Sequence, residues 1–469
     1  MTERLPDSVA INAWIGTAPR SPLADKASRW GSGGGLPHSQ QPMDLGAPAD
    51  DTDWRSPDVG YGVLLRDDPE VPDQAKATGA DAPEPIRELL AGRPGTVMLR
   101  WSPALDGSDQ VLAPHRHLRR YFADGTFQDP SIGASAFGTG KGRLPRYILI
   151  VGGPDQVPWR LQYTLQTRHH VGRLPLAEDG LGHYVSALLH GFDGAEVDVR
   201  APLQWTVSHP GDITADMRAV IADPLAGRLT DPQLPRYEHL TDGSATGAGL
   251  LDRLAATRPA LVVTSSHGLA EGDHDTLRAG LGLPVDATRA PVPLDDLVAA
   301  VPGGAVWYSQ ACCSAGSDGA SKYPGLLPAG PVLDTVENVA ALGSTVAPAA
   351  VALLGRADPV RAVMGHVEPT FDWTLRDPHT GQGLAGLLVN ALAANLHAGQ
   401  PIGHAFKDYR STVGALHSEW VEFYELLVND HDTTVRPTLT RLRLTALDRQ
   451  SLVLLGDPTV RLPELASAP

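Results

Sequence analysis

The sequence predicts an α/β protein built on a helix-covered, mostly parallel sheet. Two observations carry that expectation. Short apolar runs alternate with segments of helical length, at a spacing that suits right-handed strand–helix–strand crossovers. The runs are also apolar at successive positions instead of every second one, as strands buried on both faces require.

Along the chain, the first ninety or so residues are rich in Gly, Pro, Asp and Ser (GSGGGLPHSQQP, then GAPADDTDW), interrupted by one strand-like run, VGYGVLL. Residues 1–95 are therefore expected to be loosely structured or wrapped over a neighbour. From residue 96 the pattern changes. TVMLRW and RYILIVGG read as strands, and HLRRYF and GHYVSALLHGF as helices, which makes 96–199 an N-terminal α/β domain.

A clearer series starts near residue 203. LQWTVSH, RYEHL, ALVVTSSHG and GGAVWYSQACC read as strands, separated by the helices ITADMRAVIADPLA, SATGAGLLDRLAATRP and PLDDLVAAVP. VENVAALGSTVAPAAVALLG reads as helix, turn, strand; Glu337, Asn338, Gly343, Ser344 and Pro348 break it too often for a membrane span. GLAGLLVNALAANLHAG is an amphipathic helix ending at glycine, and SLVLLGDPTVRLP closes the domain 200–465 with a strand and a turn at Gly456-Asp457-Pro458.

Acidic residues outnumber basic ones by 54 to 38, a formal charge of −16 over 469 residues. Such a surface repels phosphate backbones and anionic lipids, so neither nucleic acid nor membrane is expected as a partner. The basic run His115–Arg120 reads as the solvated face of a short helix. The opening MTERLPDSVAINAWIG has no basic segment followed by an apolar run, so the expected location is the cytoplasm. The chain's two cysteines, Cys312 and Cys313, are adjacent and cannot staple distant parts of a fold, which agrees with a reducing compartment.

Those cysteines are also where chemistry concentrates. In an open parallel sheet, functional groups gather beyond the carboxyl ends of the strands. ALVVT delivers Ser265-Ser266-His267-Gly268, and the next strand, AVWYS, delivers Gln310-Ala311-Cys312-Cys313. If the two strands are neighbours, imidazole and thiol share one edge and can form a thiolate–imidazolium pair, the reactive form of cysteine near neutral pH. Successive residues at a strand end face opposite ways, so only one cysteine can address His267.

Ser-His-Gly after one strand and Gln-Ala-Cys after the next resemble the caspase-like cysteine peptidases, the group that includes caspases, metacaspases, gingipains and CHAT-domain peptidases. The histidine stands 45 residues before Cys312, near the spacing of the caspase pattern. Cys313 and Ser314 depart from the strict caspase motif and suit the wider group. RYILIVGGPDQVPWRLQY, HHVGRLPL, AVMGHVEPTFDW and VLLGDPTVRLP resemble segments of bacterial members, so the likeness covers roughly residues 145–465. It implies a caspase-like sheet and a cysteine endopeptidase acting on a protein or peptide substrate. Cys312 would be the nucleophile and His267 the general base and acid. The backbone N–H groups of Gly268 and Cys312 would hold the oxyanion.

The Gln-Ala-Cys alignment selects Cys312, leaving Cys313 as a small buried apolar residue. Glu271, Asp273 and Asp275 are available to orient the histidine, but spacing promotes none of them. Gln310, Asp273 and Asp318 are the candidate substrate-binding residues, and the acidic loops point to cleavage after Arg or Lys. Two long loops, Leu269–Pro293 and Gly316–Pro331, would wall the site, the second a candidate for rearrangement on activation. Two other readings stay open: a catalytically inactive relative that binds a peptide or protein partner, and a hydrolase of small amides or thioesters. A regulatory partner is compatible with either.

No cofactor or metal is expected. GASAFGTGKG lacks the first glycine and the Ser/Thr of a phosphate loop. Arg168-His169-His170 and the pair His115 and His117 have no Cys or carboxylate at ligand spacing.

Overall fold

Residues 5–25, 27, 30, 50–106 and 117–465 are described in a computed structural model of the chain. Among them twelve strands form one sheet. In chain order these are β1 Tyr61–Arg66, β2 Val97–Trp101, β3 Arg119–Tyr121, β4 Phe127–Gln128, β5 Tyr147–Val151 and β6 His170–Leu174. They continue as β7 Leu203–Thr206, β8 Glu238–Thr241, β9 Leu261–Ser265, β10 Val306–Gln310, β11 Ala362–His366 and β12 Leu452–Gly456. The spatial order is β8-β7-β9-β10-β11-β12-β6-β5-β1-β2-β3-β4.

The sheet has two parallel blocks of opposite direction. β8, β7, β9, β10 and β11 run parallel. β12 is antiparallel to β11 and parallel to β6, after which β6, β5, β1 and β2 are again parallel. β3 and β4 finish the far edge antiparallel. The carboxyl ends of β9, β10 and β11 therefore lie on the same edge as the amino ends of β12, β6 and β5. β5, β9, β10 and β12 are buried at every position, as their unbroken apolar runs required. Each fully buried Val or Leu there contributes roughly 1.5–3 kcal/mol.

Three expectations change. Residues 51–92 are not loose: β1 lies inside the sheet, followed by the helices Asp73–Thr78 and Glu84–Gly92, while the GSGGGLPHSQQP stretch lies outside the described residues. HLRRYF is not helical. Its centre is β3, pairing with β2, and the buried Arg120 guanidinium donates to the carbonyls of Thr139, Gly140 and Arg143, a set no solvated helix face would offer. His115 falls outside the described residues. VAPAAVALLG is mainly the helix Pro348–Gly355, because Pro348 sits at a helix start, where its missing N–H costs nothing.

Asp457 is more than a turn residue. Its buried carboxylate accepts from the Tyr61 hydroxyl at 2.6 Å, from Arg93 Nη1 at 3.2 Å and from the Thr459 N–H at 2.8 Å. It thus ties the end of β12 to β1 and to the chain just after the Glu84–Gly92 helix. Asp457→Ala strands the buried Arg93 charge and is expected to destabilise by about 3–5 kcal/mol, with Asp457→Asn losing less. Urea unfolding reads both; a loss in Asp457→Ala below ~1 kcal/mol would remove this tie from the account.

Candidate active site

β9 and β10 are adjacent and parallel, with Ser265 opposite Gln310. The Ser266 N–H continues the ladder by donating to the Gln310 carbonyl at 3.2 Å. His267 and Cys312 each stand two residues beyond that matched pair, just past the end of the ladder. The approach beyond the strands is close. A Cβ on Gly268 would lie 2.0 Å from the Cys312 carbonyl oxygen, so only glycine fits there. Cys313 adopts the left-handed region at φ +57°, which turns the chain sharply after the strand.

The two strands flanking this pair add their own loops. From the loop after β7, Asp212 Oδ2 lies 3.1 Å from His267 Nε2, and its other oxygen accepts from the Thr214 N–H at 2.6 Å. Burial pushes the Asp212 carboxyl up, but the bonds and charge from His267 and the bonds from Thr214 outweigh it, leaving it below the usual carboxylate range. In the neutral imidazole this bond puts the proton on Nε2 and the lone pair on Nδ1. His267 Nδ1 is buried and, among the described residues, meets no hydrogen-bond partner. From beyond β11, the Thr370 N–H donates to Cys312 Sγ at 3.2 Å. Burial pushes the Cys312 thiol well up, Thr370 opposing it only in part. Burial pushes the Cys313 thiol well up too, with Cys312 and Glu368 adding to it.

His267 and Cys312 are both fully covered. The cover is the chain's own N-terminal segment. Ala13–Trp14 runs parallel to the short strand His267–Leu269, and Ile11 bridges antiparallel to Phe371. The Asn12 carbonyl accepts from the Gly268 N–H at 2.9 Å, and the Asn12 N–H donates to the Thr370 carbonyl at 3.1 Å. Asn12 Nδ2 reaches the Gln310 carbonyl at 3.4 Å, and Trp14 packs on the His267 ring at 5.7 Å. Val9, Ile11, Ala13, Ala27 and Trp30 share one apolar cluster with Cys312, Cys313, Tyr323 and Phe371.

The remaining sequence candidates lie as follows. The Gln310 amide oxygen accepts from the Tyr308 hydroxyl. Asp273 is exposed and caps the helix His274–Gly280 by accepting from the Thr276 N–H at 2.9 Å. Asp318 pairs with Lys322 at 3.0 Å and accepts from Ser344 Oγ at 2.8 Å. The expected loop Leu269–Pro293 contains that helix and the strand Pro284–Val285. Asp212 was missed because it also caps the helix Ile213–Met217, and such an aspartate is read as a cap. Its place just beyond a strand of the same parallel block was the available signal.

No family model matches the chain, and no curated protein matches it. Among solved structures it is similar to a protein titled simply a protease, at TM-score 0.40 and 8% identity, over 68% of this chain and 65% of that one. It is also similar to the Arg-specific cysteine proteinase gingipain R, at TM-score 0.40 and 10% identity, over 86% and 78%. The complex of Porphyromonas gingivalis RgpB pro- and mature domains matches at TM-score 0.38 and 9% identity, over 86% and 80%. Identities this low carry no residue roles across.

Two buried carboxyls beside the cysteines make stability depend on pH. Burial holds Glu368 up at about 7, Lys322 opposing and Asp318 adding. Burial likewise holds Asp448 at about 7, against the Thr374 hydroxyl. Folded pKa values above the unfolded ones mean that the folded state binds protons more tightly. The stability these carboxyls contribute is full below their unfolded values near pH 4 and is lost as pH rises through 7, at most about 3–4 kcal/mol each. Glu368→Gln and Asp448→Asn are expected to flatten the unfolding free energy between pH 4.5 and 7.5. Unchanged slopes in both variants would refute this assignment.

Proposed function

We propose that the chain is a cysteine endopeptidase of caspase-like design, held latent by residues 8–14. One observation carries the reading: the carbonyl of Asn12 sits on the Gly268 N–H, beside the thiol of Cys312 and within reach of the same short strand as His267. An extended segment hydrogen-bonded on both sides is how a peptide substrate is gripped. The backbone N–H of Gly268 is then the donor for a developing oxyanion, and that of Cys312 is proposed as its companion.

In the proposed reaction the Nδ1 lone pair of His267 takes the Sγ proton of Cys312, while Asp212 steadies the resulting imidazolium. The thiolate adds to the substrate carbonyl carbon. Collapse breaks the C–N bond, and the imidazolium returns its proton to the departing amine. Water then attacks the thioester and restores the thiol. With the N-terminal segment in place the thiol is dry and its pKa is raised, which keeps it protonated and unreactive. Displacing the segment rehydrates it.

A basic residue at the cleavage site, as the acidic loops suggested, would have to displace Lys322 from Asp318 and Glu368, or take up Asp273 from its helix cap. The inactive, partner-binding alternative draws on one fact: Cys312 is fully covered and shares the apolar cluster with the segment over it. The extended, two-sided seating of that segment favours a peptide over a small amide or thioester.

The test is to insert a specific cleavage site after Gly16, release residues 1–16, and offer a peptide library. Release is expected to speed alkylation of Cys312 by about tenfold or more and to switch on turnover. In that background Cys312→Ala and His267→Ala should each cost on the order of 10^4-fold, and Cys313→Ala far less. Rapid alkylation without cleavage of any peptide would favour the binding protein.

A further inference from the structure

Away from the cysteines, a cavity of ≈570 Å³ opens where helix Lys407–Asn429 meets the amino ends of β5 and β6. Its volume is that of a small-molecule site. The lining is unusually cationic. Arg143, Arg146, Arg168, Lys407 and Arg410 face it, against one lining carboxylate, Asp408. Most of these cations are already engaged. Arg168 donates to the carbonyls of Ile132 and Ser135, Arg146 to Asp51, and Lys407 contacts His404 Nε2 at 2.9 Å.

Arg410 is different. It is buried to 2% exposure, and among the described residues its Nε, Nη1 and Nη2 meet no hydrogen-bond partner. A guanidinium cannot shed its proton readily to escape this; burial lowers it only to about 10, so it is charged at neutral pH. A fork of donors with no acceptor, nine-tenths buried on a cavity wall, is a half-made hydrogen-bond site.

The alternative occupant, a metal cation, fits poorly. Asp51, His170 and His404 do bring donor atoms within 4.8 Å of one another. His404 has no lone pair to spare, however, since Nδ1 meets Gln400 Oε1 at 2.9 Å and Nε2 meets Lys407. Asp51 is already paired with Arg146 at 3.3 Å. A further positive charge would enter a field that is already positive.

We infer that this cavity binds a small phosphate-bearing anion, whose oxygens accept from the unpartnered Arg410 guanidinium and from the neighbouring Lys407. Arg410 and Lys407, one turn apart on a single helix, with Arg143, Arg146 and Arg168 lining the same cavity, match a multiply charged tetrahedral group better than a planar carboxylate, which one guanidinium would satisfy. The chain's formal net charge of −16 makes such a concentration of cations more telling, because nothing in the bulk composition calls for it. The proposal is independent of the peptidase reading. The cavity lies on the same sheet edge as Cys312, with β11 and β12 intervening between β10 and β6.

The full chain should be titrated with inorganic phosphate, pyrophosphate and citrate, each against sodium chloride of equal ionic strength, by calorimetry and thermal unfolding. Pyrophosphate at saturation is expected to raise the Tm by on the order of 2 °C, with citrate less effective. Arg410→Met should weaken pyrophosphate binding at least tenfold while its ligand-free Tm stays at or above that of the parent, because an unpaired buried charge is gone. Lys407→Met, at the rim, supplies the same reading should Arg410→Met fail to fold. No phosphate or pyrophosphate effect beyond the salt control, equal binding by the variants, or citrate matching pyrophosphate would each overturn the assignment.

Discussion

Ser265 stands opposite Gln310 in a parallel pair of strands, and the chemistry of the molecule is measured from that pairing. Two residues further on, just past the end of this ladder, the chain after β9 carries His267 and the chain after β10 carries Cys312. Slipping the register by one residue would turn one of them to the opposite face. The close approach of Gly268 to the Cys312 carbonyl leaves no room for such a slip, or for a side chain at position 268. Hence the pairing of two apolar strands, a matter of core packing, also decides which loops carry His267 and Cys312 to a common edge.

The neighbouring strands of the parallel block complete what the central pair begins. β7 contributes Asp212 behind the imidazole, and the chain beyond β11 contributes Thr370 beside the thiol. Parallel strands deliver all their carboxyl ends to one edge, so four loops distant in sequence converge without any loop having to reach far. The reversal at β12 then carries the same edge onward into the second block, where it presents amino ends and, beside them, the cationic cavity. One shared strand thus puts the His267 and Cys312 loops and the cationic cavity along one rim. Asp457, just beyond that strand, holds the blocks together through Tyr61 and Arg93.

Burial governs how these groups behave. Apolar residues of the N-terminal segment lie directly over Cys312, and the desolvation that stabilises their cluster is the same desolvation that raises the thiol. The segment is held by backbone hydrogen bonds to Gly268 and Thr370, which any extended chain could make, and by side chains that only this segment supplies. Packing therefore covers Cys312, while the backbone bonds that seat the segment do not depend on its sequence.

Fold class and most strands were readable from the chain because local signals state them, continuous apolar runs and strand–helix alternation; small residues at two successive strand ends are what made His267 and Cys312 candidates. HLRRYF misled because its alternation is too short to tell a helix turn from an edge strand; the carbonyls that accept from Arg120 are about twenty residues downstream. Asp212 stayed hidden because a capping aspartate and a histidine partner look alike until the strand order is known. An N-terminal segment wrapped over a neighbour was an open expectation, but that it covers Cys312, and that Arg410 meets the amino ends of β5 and β6, was illegible, since the segments joined are some three hundred residues apart in one case and more than two hundred in the other. What the sequence determined by itself was which residues could pair with their near neighbours. Which distant surfaces meet was decided only by the tertiary structure, because burial and strand order are properties of the packed whole and no local pattern encodes them.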